Sequence, residues 1–442
     1  MPFFQNLIGE SALIPALIIF VLTYIGMLAF SKARAYIALG SAALFVLLGI
    51  LPWRELAGAV NWNVLLMIAG TMGTVSLFIE SKMPAKMAEW LIDKSPSLMW
   101  TTIWLSVLAG VISAFVDNVA TVLMVAPVAV NIAKKLKVSP VSSVIAIAIA
   151  SNLQGAATLV GDTTAILLAG EANMNFLDFF FFKPVGAPHW GIGMFWIVQV
   201  AFLAATAILF VVFRKDKQPI HLDEHTTVTD YVPSMLLVST IVGLILVSFL
   251  PESIHLPGAI NGIVCVGIFL IGVLIYGLRS KTIKNAFKEM DYFTLLLLAG
   301  LFIVIQGINN AGVIEKIGDM FKVLSAGNLF VLYSMVVWFS VLLSAVVDNI
   351  PYVATMLPVI TLLADKLGAP AYVLYFGLLS GATLGGNLTP IGASANIAGL
   401  GILRKEGHNV KAKDFMKLSV PYTLAAVLVG YVLVWFLWKN MG

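Results

Sequence analysis

Long apolar segments with almost no charged residues constrain this chain more than any other feature. Segments 11–30, 191–213 and 256–278 each reach the roughly 20 apolar residues that a helix needs to cross a bilayer. Of the 442 residues, 60% are hydrophobic and 11% are charged, whereas a soluble domain carries about 25% charged residues. The first segment has no basic flank and no small-residue cleavage site, so it is expected to be a retained helix. The sequence therefore predicts an all-α polytopic membrane protein.

Ten crossings and two unusual segments follow from the apolar pattern. The crossings are expected at about 11–30, 36–52, 63–80, 141–169, 191–213, 233–250, 256–279, 292–310, 369–401 and 419–438. Segments 98–132 and 328–363 are each about 35 residues long, which is too long for one crossing and short for two. Each carries an Asp-Asn pair near its middle. We expect each to be a re-entrant helical hairpin with a break at the aspartate.

The lysine and arginine residues test this map, because cytoplasmic loops carry an excess of them. If the loops alternate and each hairpin returns to its own side, one side holds 20 of the 26 Lys and Arg residues and the other holds 6. The basic side is expected to be cytoplasmic. The map then places both termini outside the cytoplasm of a multi-pass protein in the cell membrane.

An internal repeat is visible at a nearly constant offset. Asp117 corresponds to Asp348 at 231 positions, "QGAATLVGDTTA" (154–165) lies over "GGNLTPIGASAN" (385–396) at the same offset, and "LLMIAG" (65–70) lies over "LLLLAG" (295–300) at 230. The sequence predicts a first repeat at 1–213 with a broken helix at 141–169, a connecting loop at 214–232, and a second repeat at 233–442 with a broken helix at 369–401. Each repeat has five crossings and one hairpin. Because five is an odd number, the second repeat starts from the opposite side of the membrane and is inverted relative to the first. Inverted repeats with broken helices and a midplane site are typical of secondary transporters.

Three aspartates are the strongest candidates for function. Asp117, Asp162 and Asp348 lie in apolar surroundings, where a carboxylate costs about 2.5–3.5 kcal/mol at the bilayer centre. No lysine or arginine lies in 99–133, 138–182 or 323–365, so no local basic partner is visible. The structural alternative is that they cap helices. The functional interpretation is proton or cation binding, with Na⁺ expected at Asp117, Asn118, Asp348 and Asn349.

Polar and glycine-rich stretches after each hairpin supply the remaining candidates. Irregular backbone at membrane depth occurs only where protein buries it or water reaches it, and glycine and Pro390 favour such breaks. The alternative is close helix packing through small residues. The candidates for substrate or ion binding are Asn152, Thr158, Gly161, Thr163, Asn387, Thr389, Gly392, Ser394 and Asn396.

The two Asp-Asn hairpins, "SNLQGAATLVGD" and "GGNLTPIGASAN" together resemble the ion transporter superfamily with a citrate-transporter-like domain. The branch with the greatest similarity is that of the arsenite permeases and NhaD-type sodium/proton antiporters. The related dicarboxylate/sodium symporters carry Ser-Asn-Thr at the hairpin tips, where this chain has Asp-Asn-Val and Asp-Asn-Ile. The resemblance implies a scaffold domain, a mobile transport domain that slides as an elevator, and a homodimer.

A secondary active ion transporter is therefore the leading hypothesis, coupled to H⁺ or Na⁺ and without a resident cofactor. Carboxylates around one site repel an anion unless they are protonated or hold cations. They favour Na⁺/H⁺ exchange or arsenite and antimonite efflux, and citrate or a dicarboxylate is the alternative cargo. An ion channel and an intramembrane aspartyl protease are more distant alternatives. The chain shows no phosphate-binding loop, no zinc-ligand spacing and no nucleic-acid module, and we expect no enzyme activity.

Overall fold

The computed structural model describes residues 12–184, 187–219, 226–250 and 258–441, and most of these residues lie in helices. The two chain termini, positions 220–225 of the predicted connecting loop, and positions 256 and 257 of the predicted crossing 256–279 lie outside the described residues. Six of the described helices are long and apolar enough to cross a membrane, or seven if one bent pair counts as a single span. Seven more apolar helices among the described residues have 10–17 residues. The all-helical fold is confirmed, and the number of ten crossings stays a prediction.

The helices of the first half follow the predicted segments. They are α1 (Leu13–Ala29), α2 (Arg34–Leu47), α3 (Leu56–Ala59), α4 (Trp62–Glu80), α5 (Met83–Asp93), α6 (Leu98–Ser113), α7 (Asn118–Leu136), α8 (Val141–Gly155), α9 (Thr163–Ala172) and α10 (Met194–Phe213). Between α9 and α10, strands β1 (Phe181–Phe182) and β2 (Gly191–Ile192) pair antiparallel, with Phe181 opposite Ile192.

The second half repeats the order of the first. Its helices are α11 (Val232–Ser248), α12 (Ile260–Tyr276), α13 (Lys281–Glu289), α14 (Tyr292–Asn310), α15 (Val313–Leu324), α16 (Leu329–Ser344), α17 (Asn349–Leu367), α18 (Ala371–Gly385), α19 (Ser394–Lys405) and α20 (Ala412–Trp438). A single 3₁₀ turn, Gly386–Leu388, follows α18.

Each predicted hairpin is a pair of helices that breaks at its aspartate. In the first hairpin, α6 ends at Ser113 and α7 begins after Asp117, whose carboxylate accepts backbone N–H bonds from Val119 at 2.9 Å and Ala120 at 3.1 Å. In the second hairpin, the Asp348 carboxylate accepts the N–H of Ile350 at 3.2 Å. Both aspartates are therefore N-caps, which satisfy donors that a helix start leaves free. Helix capping accounts for the backbone contacts of both aspartates. An ion-binding role would be additional to capping.

The predicted broken helices are also broken in the structure. Helix α8 stops at Gly155 and α9 starts at Thr163, and α18 stops at Gly385 before α19 starts at Ser394. Glycine is required inside each break, because a Cβ on Gly161 would lie 2.7 Å from the Gly155 carbonyl oxygen and one on Gly392 would lie 2.6 Å from that of Gly386.

Contacts recur at the offset that the sequence repeat predicts. Helix α4 packs against α12 and α2 against α14, and the two glycines of the repeated motif mark these contacts. A Cβ on Gly70 would meet the backbone of Cys265 at 2.3 Å, and one on Gly300 would meet that of Ala38 at 2.8 Å. Each pair therefore joins a helix of one half to a helix of the other. The repeat boundaries and the inverted orientation of the second half stay predictions that these contacts support.

The buried core lies around the two helices that precede the breaks. All residues from 144 to 155 in α8 and from 373 to 385 in α18 are buried. Large apolar side chains on the outer helices are exposed instead, including Leu203 at 69% and Leu274 at 80%. A protein that faces lipid needs no polar outer surface, so this pattern suits a membrane protein.

Candidate functional site

A cavity of about 360 Å³, called here the central cavity, lies between the two hairpins and the starts of α9 and α19. Helices α4 and α14, Asn152 of α8 and Glu289 at the end of α13 complete its lining. Its polar lining consists of Ser76, Asp117, Asn118, Asn152, Asp162, Thr163, Glu289, Asp291, Thr294, Asn349 and Ser394. The described lining contains four carboxylates and no lysine or arginine, so it favours positively charged ligands.

Asp117 and Asp162 are two of the four carboxylates that line this cavity. Asp162 caps α9, because its carboxylate accepts the N–H of Thr163 at 2.8 Å and the hydroxyl of Thr164 at 2.6 Å. The amide of Asn349, from the tip of the second hairpin, lies 3.5 Å from Asp162 Oδ2. The first hairpin, the first break and the second hairpin therefore meet at Asp162. No sequence pattern indicated that this asymmetric aspartate would occupy the junction.

Asp348 does not have the environment that the sequence predicted. Its Oδ2 lies 2.9 Å from Nη1 of Arg34 and accepts the hydroxyl of Ser394 at 3.1 Å. The absence of a local basic residue suggested an unpaired carboxylate, but Arg34 lies 314 positions away in the chain and reaches it in the fold. The sequence also predicted Na⁺ at Asp117 and Asp348 alike. Asp117 lines the central cavity together with Asp162, Glu289 and Asp291, whereas Asp348 is not part of its described lining.

Arg34 was assigned by sequence to a cytoplasmic loop, and the structure places it at the first position of α2. Its Nε donates to the carbonyl of Met27 at 3.3 Å, and its side chain is 16% exposed. A cation at a helix N-terminus is opposed by the helix dipole. The pairing with Asp348 offsets this repulsion and gives a physical reason for arginine at this position.

A buried amide network joins the two halves behind the cavity. Asn118 donates to Asn152 at 3.0 Å, and Asn152 donates to the carbonyl of Thr383 at 2.7 Å and to Asn387 at 3.1 Å. Asn387 in turn donates to the carbonyl of Ile149 at 2.9 Å. Buried polar groups need such partners. This network therefore fixes the ends of α8 and α18 against each other.

The other predicted site residues divide into two groups. Thr163, Asn349 and Ser394 line the central cavity with Asp117, Asn118, Asn152 and Asp162. The remaining ones bond to the backbone of the breaks and hairpin tips: Thr158 donates to the Ala114 carbonyl, Thr389 to the Ala345 carbonyl, and Asn396 to the carbonyls of Gly386 and Thr389, both at 3.1 Å. Gly161 and Gly392 make close backbone contacts there. These residues hold the frame that positions the cavity.

Sequence reasoning missed Glu289, Asp291 and Thr294 at one end of the central cavity. Asp291 caps α14 and accepts the N–H of Thr294 at 3.0 Å and its hydroxyl at 2.6 Å. Burial raises the pKa of the Glu289 carboxyl, and the nearby charge of Glu80 acts in the same direction. The acidic pair in "KEMDYF" just before an apolar helix was an available signal. Within the described residues, no group of three or more His, Cys, Asp and Glu side chains could hold a metal ion.

A family model described as citrate transporter matches residues 16–379, which is most of the chain. The chain belongs to the citrate transporter family. Among related family members, the uncharacterized transporter Rv2684 of Mycobacterium tuberculosis is 27% identical over 95% of this chain and 97% of its own length. The human P protein is 26% identical over 90% of this chain, which spans only 56% of that longer protein.

The YdaH transporter of Alcanivorax borkumensis has the same fold as this family member. The two structures superpose with a TM-score of 0.59 over 88% of this chain and 89% of the other, at 15% sequence identity. The resemblance to the ion transporter superfamily is thereby confirmed, and the chain is a multi-pass membrane transporter.

Proposed function

We propose that this family member is a secondary active transporter that exchanges a small cation, in the first place Na⁺, for protons by alternating access. The central cavity carries the proposal, because Asp117 and Asp162 line it and its described lining has no basic side chain. A cavity with one sign of charge and low-dielectric walls concentrates counter-ions. Glu289 and Asp291 add two further carboxylates to the same lining.

Oxygen ligands of the kind that hard cations prefer surround the two aspartates. Asn118, Asn152, Thr163 and Asn349 add amide and hydroxyl groups to the same lining. A carboxylate that holds a cation in one step and a proton in another couples the two ions, because both compete for the same oxygens. We therefore assign the exchange to Asp117 and Asp162 and assign no cation to Asp348 while Arg34 occupies it.

Citrate or a dicarboxylate is the second candidate cargo, because the matching family model is described as a citrate transporter. A free citrate trianion would meet the Asp117 and Asp162 carboxylates with no basic side chain in the described lining to receive it. It would travel only with cations or protons bound. Arsenous and antimonous acid are largely neutral near pH 7 and suit proton-coupled efflux from the same cavity.

The remaining features belong to the same proposal. The two repeats, 1–213 and 233–442, would together form a scaffold domain and a moving transport domain. The protein would be a homodimer in the cell membrane, with both termini outside the cytoplasm. The protons or Na⁺ ions that drive transport would need no resident cofactor. An aspartyl protease would need two close carboxylates that share one proton, and Asp348, which pairs with Arg34, does not supply one of them.

Transport by purified protein in liposomes with an internal pH dye tests the proposal. Na⁺, Li⁺, arsenite, antimonite and citrate, the last with and without Mg²⁺, are added in turn. An inward Na⁺ gradient is expected to make the lumen alkaline, and liposomes that are empty or hold the Asp117→Asn variant are expected to remain unchanged. A pH response to citrate or arsenite combined with none to Na⁺ or Li⁺ would overturn the Na⁺ assignment.

A further inference from the structure

A second cavity of about 320 Å³ lies apart from the central cavity. It is bounded by the segment before α4, the end of α9, the second half of α14 and the middle of α17. Its polar lining groups are Asn61, Glu171 and Gln306, and Glu171 is the only acidic residue in its described lining. That lining contains no lysine or arginine.

The second cavity occupies the place in the repeat that corresponds to the central cavity. The corresponding lining residues, all 230 positions apart, are Met72 and Phe302, Val75 and Ile305, Ser76 and Gln306, and Asn61 and Asp291. If the second half is inverted, the two cavities open toward opposite sides of the membrane. The distribution of basic residues places the ends of α9 and α14 on the side away from the cytoplasm.

Glu171 ends a short chain of hydroxyl groups. Its Oε1 accepts the hydroxyl of Thr361 at 2.6 Å, and Thr361 Oγ1 lies 2.7 Å from the hydroxyl of Tyr375. Thr361 has one hydroxyl proton, and its acceptors are Glu171 and the Leu357 carbonyl at 3.1 Å, so Tyr375 donates to Thr361. The chain therefore runs from Tyr375 through Thr361 to the carboxylate. Such an arrangement can deliver a proton to Glu171 or remove one.

Folding alone does not explain a glutamate at position 171. It lies in the last turn of α9, where the helix dipole opposes a negative charge. The corresponding residue of α19 is Ile402, so an apolar side chain serves at the same place in the repeat. Pro358 adds to the polarity of this cavity, because it has no N–H to pair with the carbonyl of Ala354, and both residues line it.

We propose that Glu171, with Thr361 and Tyr375, is a proton-binding site at the end of a second aqueous route to the transport site. The proposal rests on the proton-coupled transport proposed above. Helix α9 joins this site to the central cavity, since Glu171 lies nine positions after Asp162, which is about 13 Å of helix. Besides Glu171, the charges of Tyr372 and Asp365 also act on Tyr375.

The first test asks whether the second cavity is aqueous and opens on the opposite side. Gln306→Cys and Thr294→Cys are labelled with a membrane-impermeant maleimide in right-side-out and inside-out membrane vesicles. Cys265, the only native cysteine, is buried and gives the background. We expect Gln306→Cys to react only in right-side-out vesicles and Thr294→Cys only in inside-out vesicles. Labelling of both from the same side, or no labelling of Gln306→Cys, overturns the second route.

The second test measures Na⁺ transport in the same vesicles while the pH is varied on one side. Glu171→Gln should abolish the dependence on outer pH and keep the dependence on cytoplasmic pH. Glu55→Gln is the matched control, because Glu55 is an exposed carboxylate at the predicted outer side that accepts the Asn310 amide at 3.1 Å. A Glu171→Gln protein with wild-type dependence on outer pH overturns the proposal. If transport by Glu171→Gln no longer depends on Na⁺ but still depends on outer pH, the assignment of Glu171 to proton binding is overturned.

Thr361→Val provides a second variant if Glu171→Gln does not insert. It removes the donor to the carboxylate, which disfavours the charged form and should move the outer-pH profile to higher pH. An unchanged profile counts against the proposal. Absence of Na⁺-driven pH change in the wild-type protein would instead refute the proposed function, so the two failures are distinguishable.

Discussion

Replacing Arg34 by glutamine should destabilise the protein, and the second hairpin should be the part affected. The side chains of Arg34 and Asp348 are 16% and 7% exposed, and their atoms are 2.9 Å apart. Removing one partner of a buried ion pair destabilises by about 3–5 kcal/mol, because the other charge stays buried without compensation. Ser394 and the N–H of Ile350 still contact Asp348. We therefore expect about 3 kcal/mol, the lower end of that range.

Cys265 supplies the assay for this loss. It is the only cysteine and is buried, so a thiol-reactive fluorophore reports unfolding of the detergent-solubilised protein during heating. The Arg34→Gln variant should unfold at a lower temperature than wild type. Asp348→Asn should also lower the midpoint, because it removes the negative charge that balances the partly buried guanidinium, whose other contact is the neutral Met27 carbonyl.

The double variant, Arg34→Gln with Asp348→Asn, decides whether the ion pair is the cause. It removes both charges and keeps side chains that can hydrogen-bond, so it should recover much of the stability lost by either single change. A coupling of about 0.5–3 kcal/mol is usual for residues in contact. Additive losses, or an Arg34→Gln midpoint equal to that of wild type, would refute the ion pair as a stabilising contact.

Three further predictions concern the first half. Asp117→Asn should abolish Na⁺-driven pH change in liposomes while the unfolding temperature is kept, since asparagine can still cap the helix but cannot exchange a proton. Asp162→Asn should raise the Na⁺ concentration for half-maximal transport without abolishing it, and an unchanged concentration would exclude a role in binding. Gly161→Ala should destabilise by about 1–3 kcal/mol, because its Cβ would lie 2.9 Å from the Ala114 carbonyl oxygen; Gly40→Ala, which has open space, is the control in the same thermal assay.

The element boundaries could be predicted because their causes are local. Apolar length set the membrane segments, and the Asp-Asn pairs marked hairpin breaks within a few residues of α7 and α17. The glycine-rich stretches marked the breaks after α8 and α18, since close carbonyl contacts at Gly161 and Gly392 leave no room for a Cβ. These signals need no knowledge of which helices are neighbours in space.

The electrostatics of the site could not be predicted from the same windows. Arg34 reaches Asp348 from another part of the chain. Glu171 was overlooked for a different reason, because a charged residue near the end of an apolar segment also marks the membrane boundary. The role proposed for Glu171 depends on the hydrogen bond from Thr361, which lies 190 positions later. Partners this far apart in sequence become visible only when the fold brings them together.

The two halves of the site share the same backbone arrangement but differ in their charged residues. The two aspartate caps recur at an offset of 231, but Val264 stands 230 positions after Arg34 and Ala393 stands 231 positions after Asp162. Asp162 adds a second carboxylate to the cavity beside Asp117, whereas Arg34 neutralises Asp348. Both differences move negative charge toward the first hairpin. In the exchange proposed above, the repeated frame would supply two related conformations for alternating access. The unequal charges would then concentrate the cation at the first hairpin tip, because Arg34 balances the charge of Asp348 at the second.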